Sequence, residues 1–359
     1  MDHQASAALL KTLSPHLDLS KSRSQTLVLL VIGMISARTV NLSHLACELP
    51  GTALIASGYR RLQRFFQYVQ LSSDWSAPVV MALIGVTGPW YLCLDRTNWK
   101  LGKCHINILM LAVVTRRFRV PLMWSVLGKA GNSNTGERIA LMNRYLTLFD
   151  VSTVKMLLAD REFIGGQWLE FLNKNNIPFA IRMKENFIIT LEDGRAISLR
   201  TLLVKCRGVR HLTGYLDGHG TDEKPSLNFA ARRIKGGELL IVASNGQADK
   251  ALNAYKKRWA IECLFGDAKT RGLNLEDTHI VNPAKLMTLL AIVALALAWA
   301  SKVASGHVGR GKLKRKTHGY PAKSWFRIGF DQIRKGLRTD PAKILEPWRK
   351  FRPKSLGVV

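Results

Sequence analysis

Residues 1–85 carry apolar positions at helical spacing, in SKSRSQTLVLLVIGMISAR, in NLSHLACEL with Asn41 or Ser43 as its N-cap, and in SGYRRLQRFFQYVQ. Short helices ending in a basic, aromatic-bearing one suit a helix-turn-helix DNA-binding module, and suit an ordinary helical cap equally well. From Trp90 the apolar residues run together instead of recurring. YLCLDRT, INILMLAVVT and VPLMWSVL read as three buried strands, with RRF at the turn after the second. A helical stretch, TGERIALMNRYLTLF, a strand, TVKMLLAD, a helix, GQWLEFLNKNN, and a fifth strand, PFAIRM, follow. That order predicts an α/β fold, a mixed sheet with flanking helices, over residues 86–184 and again over 248–305.

Between those two spans, residues 185–247 alternate in short segments such as NFIITL, RAISLRTLLV, LNFAARRI and ELLIVAS, set among Gly, Asp and Lys turns. They predict a β-rich insertion. Helix resumes near Asp249 in DKALNAYKKRW, and Leu286 to Ala300, LMTLLAIVALALAWA, is almost purely apolar. This run falls short of the roughly 20 residues a bilayer span needs, so it reads as a helix buried inside the domain rather than a membrane anchor.

Charge changes the picture most. Lys and Arg number 53 against 25 Asp and Glu, leaving +28 in 359 residues, beyond what solubility requires. A polyanionic partner is implied, nucleic acid first and an anionic membrane surface second, against a merely cationic soluble protein. Nearly half of the excess lies after Ser301, where 16 Lys and Arg face 3 Asp and Glu, a net +13. Residues 306–359 thus form a basic C-terminal region, within which GRGKLKRKTHG reads as a flexible arm for a polyanion. The 5 cysteines are scattered and form no CxxC pair, against both a disulfide framework and a zinc site. MDHQASAALLKTLS lacks the basic-then-apolar order of a secretory signal, and the expected compartment is the cytoplasm, at the nucleoid.

Three carboxylates then stand out. Asp95 ends an uncharged strand and Asp160 follows MLLA. An ionised carboxylate is costly to bury alone, so acids at strand ends are either solvated turn residues or gathered around a cation. If the two strands are neighbours, these acids meet at one end of the sheet. The third, Glu262, lies among four positive charges in YKKRWAIECLFGDAK. At about 100° per residue, Tyr255, Arg258, Glu262 and Lys269 share an arc of about 60°, with Ile261, Leu264, Phe265 and Ala268 beside it. Gly266 leaves that polar face bare, with room for something bulky. A plain i,i+4 ion pair between Arg258 and Glu262 accounts for the helix alone. Three carboxylates in a strongly basic chain point further, to two Mg²⁺ ions that assist phosphodiester displacement, with Arg258 and Lys269 holding phosphate.

The row Tyr255, Arg258, Glu262, Lys269 resembles the Y-(2)-R-(3)-E-(6)-K signature of bacterial insertion-sequence DDE transposases of the cut-and-paste group. LDRT at Asp95 and LADREF at Asp160 resemble that family's first two acidic blocks, and the Arg258–Trp259 pair recurs in its third. The resemblance, over roughly residues 85–305, implies a ribonuclease-H-like core interrupted by a β-rich insertion. It implies a metal-binding triad of Asp95, Asp160 and Glu262, with Mg²⁺ as cofactor and Mn²⁺ as a substitute. Tyr255, Arg258, Trp259 and Lys269 would contact DNA. The partners implied are double-stranded DNA, as terminal inverted repeats and as target, and a second copy of the chain in a homodimer. A structure-selective nuclease on the same core and an inactive DNA-binding relative are the rival readings. Relatives that cut through a DNA hairpin stack a flipped base on an insertion tryptophan. Residues 169–258 hold none, leaving Phe187, Tyr215 or Phe229 for that task.

Overall fold

A computed structural model describes residues 7–349 apart from 8, 12, 15, 16, 18, 72, 73, 217–225, 312 and 318–320. The N-terminal helices are α1 (Lys21–Ala37), α2 (Leu42–Cys47), α3 (Ile55–Tyr68) and α4 (Ser76–Ile84). Asn41 caps α2 through its side chain, which accepts from the Ser43 N–H, so of the two candidate caps Asn41 takes the position. α3 buries Leu62, Phe65 and Phe66 on one side and exposes Arg60, Gln63, Arg64, Gln67 and Tyr68 on the other.

The apolar runs become a mixed sheet. Its strands are β1 (Trp90–Leu101), β2 (Cys104–Val114), β3 (Arg119–Leu127), β4 (Val154–Ala159) and β5 (Phe179–Met183), with α5 (Thr135–Leu148) before β4 and α6 (Gly166–Lys174) after it. β6 (Ile188–Thr190), β7 (Ala196–Ser198), the short α7 (Leu199–Leu202), β8 (Val209–Leu216), β9 (Ser226–Arg233) and β10 (Leu239–Ser244) follow. All ten strands share one sheet, in the order β3-β2-β1-β4-β5-β10-β9-β8-β6-β7. β1 pairs antiparallel with β2 and parallel with β4; β4 and β5 are parallel, and β10 returns antiparallel to β5. This mixed sheet with flanking helices is consistent with a ribonuclease-H-like DDE domain. The strands of residues 185–247 extend the core sheet rather than forming a separate layer.

After β10 the chain makes α8 (Ala248–Tyr255), a 3₁₀ turn over Lys256–Arg258, and α9 (Trp259–Ala268). α10 (Pro283–Val308) contains the apolar run and is longer than that run suggests, 26 residues. By length and composition it could cross a membrane, but 83% of its most apolar window is buried. It packs against β3, α1, α4 and a helix of the basic C-terminal region. That helix, α11 (Trp325–Thr339), and α12 (Pro341–Arg349) give the C-terminal region beyond GRGKLKRKTHG a regular structure. Phe330, Ile333, Leu345 and Trp348 are buried, and the indole of Trp299 on α10 donates to the Ile344 carbonyl at 2.9 Å. Much of this region is therefore folded onto the core, and parts of GRGKLKRKTHG lie outside the described residues.

Candidate active site

Because β1 and β4 are parallel neighbours paired as far as Leu94 and Ala159, the next residue on each is an acid. Asp160 stands where β4 ends. Asp95 lies inside β1, which continues to Leu101 opposite β2, so it is not at a strand end as its sequence setting suggests. Each carboxylate accepts from the following backbone N–H at 2.8 Å, Asp95 from Arg96 and Asp160 from Arg161, which fixes its rotamer.

Glu262 arrives from α9, in the helix's first turn. The helix is not continuous from Tyr255. The 3₁₀ turn tightens the chain at Lys256–Arg258 and turns Arg258 inward, where it is 8% exposed. Its guanidinium then links all three acids: 3.1 Å to Asp95 Oδ2, 3.8 Å to Asp160 Oδ2 and 2.5 Å to Glu262 Oε1. Burial alone would weaken the arginine's hold on its proton, but Tyr255, Asp160 and Asp95 around it raise its pKa instead. Burial pushes the Asp95 carboxyl up to about 6, despite the Arg96 N–H and the Arg258 charge. Tyr255, itself buried, donates its hydroxyl to Asp160 Oδ1 at 3.3 Å, and its ring lies 5.9 Å from the Arg258 guanidinium carbon.

Trp259 is 62% exposed at the start of α9. Lys269 is not brought to the acids. Its ammonium bonds the Asn98 carbonyl at 3.2 Å, pairs with Glu276 at 2.7 Å and sits over the Trp99 ring. Nor is the space at Gly266 open, because a Cβ there would meet the Arg271 guanidinium at 3.1 Å. Of the residues considered for stacking a base, Phe229 is fully buried in β9 and closed to one, while Phe187 packs against the core.

The sequence reading missed a second polar network. Arg96, next to Asp95, holds Glu162, two beyond Asp160, through bonds of 2.7 and 2.9 Å. It also reaches the buried Asn107 side chain and the Gly131 carbonyl. The pair cross-links β1 to the loop after β4, beside the two acids that the β1–β4 ladder brings together. Its signal was present, an arginine after each acid and a glutamate in DREF, but no period or motif logic singles it out.

No three acid, histidine or cysteine side chains among the described residues stand arranged to hold a metal ion. Where the three acids converge, the charge between them is a guanidinium. Their oxygen-only donor chemistry suits a hard divalent cation once that guanidinium moves aside. No curated protein matches the chain. The family model described as the transposase DDE domain matches residues 87–299, a span that takes in Asp95, Asp160 and Glu262, and the chain belongs to that family.

Proposed function

We propose that the protein is a cut-and-paste insertion-sequence transposase, bearing the Y-(2)-R-(3)-E-(6)-K signature, which cleaves DNA at terminal inverted repeats and joins the 3′-hydroxyl to target DNA. The observation that supports this best is the convergence of Asp95, Asp160 and Glu262, from three separate elements, on one guanidinium. Asp95, Asp160 and Glu262 would hold Mg²⁺, or Mn²⁺ in its place. When bound, these ions activate the attacking hydroxyl and stabilise the departing oxygen of an in-line displacement.

Arg258 keeps the acids together until then. It must release them for the metal, and its guanidinium then suits a phosphate oxygen beside the scissile bond. Tyr255 orients the Asp160 carboxylate through its hydroxyl. Trp259, exposed beside Lys256 and Lys257, offers DNA a contact, and Lys269 grips phosphate further along if Glu276 yields it. The polar face of α3, with Arg60, Gln63, Arg64, Gln67 and Tyr68, supports a DNA-binding role for residues 1–85. The working form is a homodimer on two DNA ends, in the cytoplasm at the nucleoid.

The test is to incubate the full chain with Mg²⁺ and duplexes carrying the repeats that flank its own gene. Joined products are expected. Hydrolysed but unjoined DNA would make it a nuclease, and binding without cleavage an inactive relative.

A further inference from the structure

A groove of about 680 Å³ opens beside the acids, between the β4 loop and the turn that joins β9 to β10. Arg161 stands at its inner end, directly after Asp160. The β4–β5 register pairs Ala159 with Ile181, so one step further Arg182 falls alongside Asp160. Lys184, just beyond β5, continues the row outward. Arg200 on α7 and Arg233 at the end of β9 line the insertion side. Two carboxylates face the groove: Glu238 pairs with Arg182, and Glu185 with Arg200 at 2.5 Å. Arg233 spends its guanidinium on the Gly237 and Val204 carbonyls, which leave its charge uncancelled. Arg161 and Lys184 are exposed and have no ion-pair partner among the described residues. The groove thus holds five cations against two anions and leads away from the candidate metal-binding acids.

We infer that this groove binds the phosphodiester backbone of a single DNA strand on its way to or from the site of cleavage, an inference that rests on the transposase reading above. At about 680 Å³ the groove is small against a duplex, whose major groove alone is about 12 Å wide, and the space suits the backbone of one strand. A whole duplex does not enter. The lining contains no aromatic ring, so bases find no platform to stack on and the attraction is to phosphate.

The experiment measures binding of the full chain, in EDTA, to a fluorescein-labelled single strand of mixed sequence and to the blunt duplex of that sequence, across a salt series. The double variant Arg161→Gln/Lys184→Gln is compared with Lys103→Gln/Lys250→Gln, which removes the same charge at exposed positions outside the groove. Each phosphate contact to a single strand contributes about 0.7 to the slope of log K against log salt, so the groove variant should flatten that slope by about 1.4 on single-stranded DNA. Duplex binding should match the control variant. Arg161→Lys/Lys184→Arg should keep the parental slope. A groove variant indistinguishable from the control on the single strand overturns the inference, as does an equal loss on the duplex or a parent that binds no single strand at all. Because metal is absent, the readout is independent of chemistry. A protein that joins DNA but keeps its slope in the groove variant loses the groove alone. One that loses the slope but never joins DNA keeps the groove and loses the transposase reading.

Discussion

Arg258→Gln offers the sharpest perturbation of the candidate site. The parental guanidinium has 10% of its side chain exposed and contacts Asp95, Asp160 and Glu262, whose side chains are 16%, 28% and 36% exposed. Removing one partner of a fully buried pair costs about 3–5 kcal/mol, whereas an exposed pair contributes less than about 1 kcal/mol. Partial exposure places this site between the two, at about 2–3 kcal/mol. At about 2 °C per kcal/mol for a chain of this size, that is a fall of roughly 5 °C in Tm without metal. The variant leaves three carboxylates facing one another with no cation between them, which is a better metal site than the parent's. A divalent cation at 100 times its Kd would return about 2.7 kcal/mol. Thermal melts of parent and variant, in EDTA and over a Mg²⁺ titration, should therefore show a larger Mg²⁺-dependent gain in the variant. A loss of only a few tenths of a kcal/mol, or a variant no more responsive to Mg²⁺ than the parent, would show that Arg258 and Glu262 form an ordinary i,i+4 pair.

Asp95→Asn, Asp160→Asn and Glu262→Gln should each abolish cleavage in a gel assay while gel-shift binding persists; cleavage by any one variant removes that residue from the metal site. Burial in α9 pushes the Asp267 carboxyl up to about 6 from an ordinary 3.8, against Arg119 and Arg271. The folded form thus keeps a proton that the unfolded chain has shed, and stability falls as pH rises from about 4 to 6. Asp267→Asn should flatten that stretch of a Tm-versus-pH curve, and an unchanged curve would refute it. Truncation after Ser301 should unfold the chain, since it strips α11 and α12 from α10, and a truncated protein with a parental melt would contradict the packing. Neutralising Arg310, Lys314 and Lys316 to Gln should instead leave the melt unchanged and flatten the salt dependence of duplex binding, by about 0.9 for each phosphate no longer neutralised.

The core sheet was legible because its strands are buried on both faces. In INILMLAVV every residue after Asn107 is apolar and buried, and that uniformity is visible without a partner strand. The acids were legible for the complementary reason, being the first charges after such runs. Arg258 was harder to place. A wheel drawn on one continuous helix puts it at the margin, and only the 3₁₀ turn, set by tertiary packing, carries it inside. Lys269 failed for the same reason, since it lies past the end of α9, where helical phase no longer applies. In the C-terminal region the spacing of Phe326, Phe330, Ile333 and Leu337 is that of an amphipathic helix, a pattern that a reading of the region by its charge alone passes over. The Arg96–Glu162 bridge joins residues 66 apart in sequence, and nothing local encodes such a pairing.

The β-rich insertion leaves the core at β5 and returns at β10, and those two strands pair directly, Met183 opposite Ile241. Its entry and exit are thus already closed by the ladder, so the length of the excursion hardly affects the cost of closing it. A tight turn from Met183 to Ile241 would preserve the order β3-β2-β1-β4-β5-β10 and the path through α8 to Glu262. The cost would fall elsewhere, because β10 would become an open edge, with the Leu240 and Val242 backbone that now pairs with β9 left as a template for another chain. Besides carrying one wall of the groove, the insertion is the shield that keeps the catalytic sheet from pairing with its neighbours.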